Sequence, residues 1–332
     1  MKLFEKVCVD EKTRIIRVFN LPFEYKKSVD EKNNILYDVK VLNFKFSITK
    51  KRKKKNKKFV QNTCSDKIIK TDSLIYARCI RNLFEKVDNI ETMCIGSSTA
   101  RCGFIEDEIS VNMGIDAQDL YYSYQILKKY ITVIPNLKNI VLYWDVFSSG
   151  NDLDRHPEKH RRAFYKVFYD IPYRNSLCAY KDNSVALEKK IRYFMKHTLK
   201  ALKDVPKDYS PPLSGGLYTK EEMVLWAENE LKLYKRNQFL HYLKFIIKEC
   251  KNSNLNLFIV TMPRNPVVKQ CYPNSSELFS SLYDIIKINP EVKIINAFDE
   301  IEFKETDFAD LLHLKYSGAK LLTDYVKSFY TK

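Results

Sequence analysis

Glycine is scarce in this chain, with seven among 332 residues. That excludes collagen-like and glycine-rich low-complexity architectures. Neither a Gly-x-x-x-x-Gly-Lys nor a Gly-x-Gly-x-x-Gly run occurs, which argues against a loop cradling nucleotide phosphates. The eight cysteines are irregularly spaced and include no Cys-x-x-Cys pair, so reduced and mostly buried thiols are expected. His-Glu-x-x-His is absent. His156 and His160 lie four apart, but Pro157 suits the first turn of a helix and makes His156 its boundary residue, so no metal site and no cofactor is expected. No apolar run approaches the ~18 residues that a spanning helix needs. The first ten residues have scattered charges and no apolar segment of the signal-peptide kind, which points to the cytoplasm.

What is abundant is hydrophobic content, at 45%, enough for a full core, and positive charge, with a formal net of +16. The charge is uneven. The run Lys50 to Lys58 (KKRKKKNKK) carries eight positive charges. Such a block is either a solvated loop or a patch attracted to an anionic membrane surface, peripheral to the inner membrane face, or to another polyanion. No aromatics interleave with it, which counts against specific nucleic-acid recognition.

The first 60 residues differ from the rest and contain an internal repeat. Val18 to Lys27 (VFNLPFEYKK) is echoed by Val41 to Ile48 (VLNFKFSI), each copy reading as a strand of a small β module. Residues 61–89 read as a linker and helix. From residue 90 to 332 strands and helices alternate. Strands are expected at 91–97, 109–113, 139–147, 255–262 and 292–296. Helices are expected from about Ala117, over 222–250 as one or two, over 277–286 and over 316–330. The alternation predicts an α/β fold with a doubly wound, mainly parallel five-stranded sheet. It breaks between about 150 and 220, read as a helical insertion beside the active face, with a Pro211-Pro212…Gly215-Gly216 turn.

Ligands of such sheets sit at the C-terminal ends of the strands. Ser98 follows the first strand in Cys94-Ile95-Gly96-Ser97-Ser98, and His313 follows the fifth in Asp310-Leu311-Leu312-His313. A serine hydroxyl needs an imidazole as base, and the imidazole a carboxylate to hold its tautomer. These residue types on one rim point to acyl transfer from an ester, to water or to a hydroxyl. Cys102 has no supporting motif and reads as a buried thiol, and Trp144 as core. Arg264 follows the fourth strand, placed either to contact an acidic group at the rim or to stand in solvent.

On these residues the chain, over roughly 90–330, resembles the SGNH/GDSL hydrolase superfamily. Gly96-Ser97-Ser98 is similar to its Gly-x-Ser block, with Ser97 where aspartate is common. Val111-Asn112-Met113-Gly114 is similar to its second block, and Asp310 with His313 to its Asp-x-x-His block running into Leu314-Lys315-Tyr316-Ser317-Gly318-Ala319. Gly150-Asn151-Asp152 is close to the Gly-x-Asn-Asp block but lacks its spacer. Gln118 to Tyr122 and Phe258 to Pro263 look similar to the branch found in surface-polysaccharide gene clusters. The resemblance implies a flavodoxin-like SGNH fold, with Ser98 as nucleophile, His313 as base and Asp310 orienting it. It implies the Ser98 and Gly114 amides as oxyanion donors, Asn151 as the candidate third, and O-acetyl esters of a bacterial surface glycan as substrate. An esterase and an O-acyltransferase to a sugar hydroxyl need the same triad, and a non-catalytic glycan-binding or membrane-surface protein stays open beside them.

Overall fold

A computed structural model describes residues 4–8, 14–18, 23–29, 35–41, 44–50, 65–202 and 218–330. The chain divides into two compact units, Met1–Thr63 and Cys64–Lys332. The basic run beyond Lys50 and the Pro211-Pro212…Gly215-Gly216 turn lie outside the described residues.

The first unit is an antiparallel sheet of β1 (Phe4–Cys8), β2 (Arg14–Val18), β3 (Phe23–Val29), β4 (Ile35–Val41) and β5 (Phe44–Lys50), in that spatial order. Each copy of the sequence repeat starts on the last residue of one strand (Val18 or Val41) and enters the next at Phe23 or Phe44. Within each copy the run from Phe23 or from Phe44 onward lies in one strand, β3 or β5.

The second unit opens with α1 (Asp66–Glu85), started by Ser65, whose hydroxyl accepts the Ile68 N–H at 3.3 Å. There follow β6 (Thr92–Ile95), α2 (Ser98–Gly103), β7 (Ser110–Asn112), α3 (Leu120–Tyr130) and β8 (Asn139–Trp144). The insertion supplies α4 (Arg161–Tyr169), α5 (Ser176–Lys181) and α6 (Ser184–Leu202). Then come α7 (Lys220–Tyr234), α8 (Leu240–Asn252) and β9 (Asn256–Thr261). The chain continues through α9 (Pro266–Lys269), α10 (Ser275–Leu278), α11 (Ser280–Lys287), β10 (Lys293–Ile295), α12 (Ala297–Glu300) and α13 (Tyr316–Lys327).

The five strands β6 to β10 form one parallel sheet in the order β10-β9-β8-β6-β7. Counted within the unit this is 2-1-3-4-5, the doubly wound flavodoxin-like order expected from the alternation. Side chains alternate between its faces. Ile140, Leu142 and Trp144 of β8 enter a core shared with α1, α3, α4 and α8, while Val141 and Tyr143 enter a second core with α2 and α13. All six β8 residues are buried, as befits a central strand covered on both sides. The topological switch lies between β6 and β8, and there a ligand crevice opens.

Two helices differ from expectation for local reasons. The α3 helix starts at Leu120 because Ala117 has φ +56° and Asp119 caps the helix, accepting the Tyr122 N–H at 3.0 Å. The helix expected over 277–286 is split into α10 and α11 at Phe279, whose ψ of 20° interrupts the first turn.

Candidate active site

Ser98 is the first residue of α2, directly after the turn that ends β6. Its neighbours Ser97 and Thr99 are buried and Ser98 is half-buried. The two flanking hydroxyls converge on one carboxylate oxygen. Ser97 Oγ and Thr99 Oγ1 each donate to Asp145 Oδ2 at 2.6 Å. Asp145 follows β8 and is fully buried. Its other oxygen takes Arg264 Nη1 at 3.2 Å, and Arg264 in turn donates to Glu230 Oε2 on α7 at 3.1–3.2 Å. Tyr272 closes the chain, donating to the same Glu230 oxygen at 2.6 Å. The turn that presents Ser98 is thus tied by buried bonds to β8, β9 and α7.

The opposite side comes from the chain between β10 and α13. An antiparallel bridge between Phe308 and Leu314 closes a tight loop around Asp310 and His313. Asp310 Oδ1 accepts the N–H of Leu312 at 2.9 Å and of His313 at 2.7 Å. Its Oδ2 lies 2.7 Å from His313 Nδ1, and His313 Nε2 lies 2.7 Å from Ser98 Oγ. With Nδ1–H donating to the carboxylate, Nε2 is left to accept the serine proton. Burial works to raise the Asp310 pKa, but His313 and the two backbone N–H groups outweigh it and hold the carboxyl below its usual range.

Ser98 and His313 line a cleft of about 790 Å³, within the usual range for small-ligand sites. Asn151, named in the sequence, also lines it, and its Nδ2 donates to Ala117 O at 3.3 Å. Gly114 does not present its N–H there. That group is given to Asn112 Oδ1 at 2.9 Å. A Cβ on Gly114 would sit 2.8 Å from Arg101 N, so the glycine serves the close packing of α2. Three residues on, Ala117 lines the cleft, and among the described residues its N–H and that of Ser98 have no protein acceptor. Arg264 meets neither expectation. It does not itself line the cleft and is not in solvent, since its side chain is fully buried between Asp145 and Glu230.

Several cleft residues carried no sequence signal. Asp116 is held by Arg101 at 2.5 Å and Arg161 at 3.3 Å. Burial would raise its pKa, but the two guanidiniums lower it on balance. Arg161 also pairs with Asp72 at 3.2 Å and Glu158 at 3.2 Å. Trp226, Asn229, Glu230 and Leu233 bring one face of α7 to the cleft. Behind the cleft, the buried Asp145 left a hint, as a charge ending an otherwise apolar central run. His160 bonds Asp72 at 3.1 Å, and His156 Nδ1 accepts the Glu158 N–H at 3.1 Å. Among the described residues no group of three or more His, Cys, Asp or Glu is placed to hold a metal ion. Burial pushes the Cys102 thiol up to about 11, so it is little ionised at neutral pH. No helix among the described residues is long and apolar enough to cross a membrane.

A family profile without a descriptive name matches residues 228–331. No curated protein matches the sequence. Among solved structures, the chain is similar to a GDSL-like lipase from Bacteroides thetaiotaomicron, with 9% identity, a TM-score of 0.36, and coverage of 76% of this chain and 97% of that one. It is also similar to a protein proposed to be an acylhydrolase from Bacteroides fragilis, with 10% identity, a TM-score of 0.37, and coverage of 76% and 95%. The fold itself is read from the strand order.

Proposed function

We propose that the protein is a serine ester hydrolase in which Ser98 is the nucleophile, His313 the general base and then acid, and Asp310 the group that orients the imidazole. The carrying observation is the unbroken hydrogen-bonded chain Ser98 Oγ, His313 Nε2, His313 Nδ1, Asp310 Oδ2, with both links at 2.7 Å. Ser98 Oγ attacks the ester carbonyl carbon while its proton passes to Nε2, and Nδ1–H stays on Asp310. The oxyanion is received by the Ser98 and Ala117 N–H groups and by Asn151 Nδ2, which leaves Ala117 O for it. Collapse expels the alkoxide, which takes the proton from Nε2, and leaves an acyl-enzyme. Water, deprotonated by His313, then releases the acid. A sugar hydroxyl in place of that water gives the O-acyltransferase, with the same groups. O-acetyl esters of a bacterial surface glycan are the substrates that the motif resemblance favours.

Hydrolysis of p-nitrophenyl acetate tests this reading. Wild-type protein should turn it over, and Ser98→Ala and His313→Ala should each lose about 10³-fold or more in kcat. Equal rates in wild type and Ser98→Ala would remove the serine from the chemistry.

A further inference from the structure

The helices α1 and α6 pack together and leave a groove of about 810 Å³ along their contact. Part of its lining is apolar, with Ile69 buried and Phe194 half-buried. The charge around it is of one sign. Lys67 and Lys70 of α1 and Lys189 and Lys190 of α6 stand against a single carboxylate, Asp66. All four lysines are exposed, and among the described residues none of them has an ion pair or a side-chain hydrogen bond. Lysines elsewhere differ, since Lys138, Lys166, Lys320 and Lys327 each meet a carboxylate at 2.6–2.8 Å.

This arrangement is unfavourable to the fold taken alone. Lys67 and Lys70 stand at the start of α1, where the positive end of the helix dipole disfavours a cation. At i and i+3 they also repel each other. Negative charge brought from outside relieves both effects. Apolar groups accompany the lysines. Tyr193 lies four residues beyond Lys189 and three beyond Lys190, so it shares their side of α6, and it is 68% exposed. On α5, which packs against α6, Leu177 and Tyr180 are 73% and 77% exposed. A small soluble anion would use the lysines and leave these side chains in water. A bilayer of anionic lipid serves both, because its headgroups accept from ammonium groups and tyrosine rings favour the interface.

We infer that the α1–α6 groove is a docking surface for an anionic membrane, with Lys67, Lys70, Lys189 and Lys190 at the headgroups and Tyr193 at the interface. The surface is separate in sequence from the Lys50 to Lys58 run, and it does not depend on the assignment of Ser98. The next residues along α1, Thr71, Asp72 and Ile75, line the cleft that holds Ser98. A membrane held at the start of α1 therefore lies beside that cleft.

The test is sedimentation of the full-length protein with vesicles at about 0.1 M salt. Wild type should bind vesicles of phosphatidylcholine mixed with phosphatidylglycerol and ignore phosphatidylcholine alone. Lys189→Glu with Lys190→Glu should lower the partition coefficient about 25-fold or more, at about fivefold for each cation lost near the surface. The same change of net charge by Lys244→Glu with Lys248→Glu, exposed on α8 and outside the groove, should lower it by less than about fivefold. The loss from the α6 pair should persist in a chain lacking residues 50–58. Both double variants should keep the wild-type thermal midpoint, since all four side chains are exposed. No binding of wild type to the mixed vesicles would overturn the inference. So would equal losses in the two double variants, or no loss from the α6 pair once residues 50–58 are removed. Saturable binding of monomeric dodecyl phosphate by a protein that ignores the vesicles would also overturn it, because the groove would then take a single amphiphile and not a membrane.

Discussion

Asp310 has two separable tasks. Oδ1 fixes the backbone of its own loop through two N–H groups, and Oδ2 fixes the imidazole. Asp310→Asn can keep the first through its remaining oxygen and must lose the second, because an amide NH₂ facing Nδ1 favours the wrong tautomer. Its kcat on p-nitrophenyl acetate should fall by about 10³–10⁴-fold with little change in thermal midpoint. A fall in both would mean that the residue acts chiefly through the fold. The depressed Asp310 pKa also fixes the sign of a stability effect. Its contribution is present above the ordinary carboxylate range and is lost as pH falls through the lowered value. Asn151→Ala removes one proposed oxyanion donor and should cost about 10²–10³-fold in kcat. The residues of the proposed triad could be picked out because Ser98 directly follows an apolar strand and Asp310 and His313 form a short motif just before the last helix. The proposed donor at Ala117 could not be, since a positive φ on a non-glycine residue leaves no mark in the sequence and Gly114 was the more obvious choice.

Among the elements, α7 and the loop after β8 are the pair on which the cleft depends. Ser149 Oγ donates to Tyr234 O and Ser149 O accepts the Phe239 N–H, both at 3.0 Å. Gly150 packs so closely on the end of α7 that a Cβ would overlap Leu233 O. Gly150→Ala should therefore displace α7 or the Asn151 loop, seen as a lowered thermal midpoint together with a raised KM. An unchanged midpoint and KM would show that the approach is not needed. Asp119 joins the same loop to α3, accepting the Tyr122 and Leu153 N–H groups at 3.0 Å. Burial raises its pKa to about 6, so the native state binds the proton more tightly than the unfolded chain. For this one group, stability rises as pH falls from about 6 toward 4, by roughly 3 kcal/mol at most. Denaturant titrations of wild type and Asp119→Asn across that window should show the difference moving in favour of the wild type as pH falls. A constant difference would contradict it. The strands were readable because β8 and β9 are short runs of apolar residues covered on both faces. The boundaries of α3 and the break at Phe279 were not, because backbone conformation and packing set them and the apolar period runs through both. Arg264 was misplaced for a related reason. Strand order shows that a residue lies near the rim, but whether it faces inward depends on partners such as Asp145 and Glu230 that are distant in sequence.

At the scale of the whole molecule, every residue of the candidate site lies within the unit Cys64–Lys332. A chain starting at Cys64 should accordingly hydrolyse p-nitrophenyl acetate with the kcat of the full chain, and a large loss in a folded truncation would assign the first unit a part in the chemistry. The Asp145–Arg264–Glu230 chain crosses the second unit from the turn presenting Ser98 to α7. Arg264→Met would leave two buried carboxylates unpaired and should destabilise the fold by about 3–5 kcal/mol. The central claim is that Ser98 is activated by its bond to His313. It is tested most directly by fluorophosphonate labelling of the folded wild-type protein, with the adduct located by mass spectrometry. The account predicts a single adduct on Ser98, absent in Ser98→Ala and strongly slowed in His313→Ala. No adduct on folded wild-type protein, or an undiminished rate in His313→Ala, would contradict it.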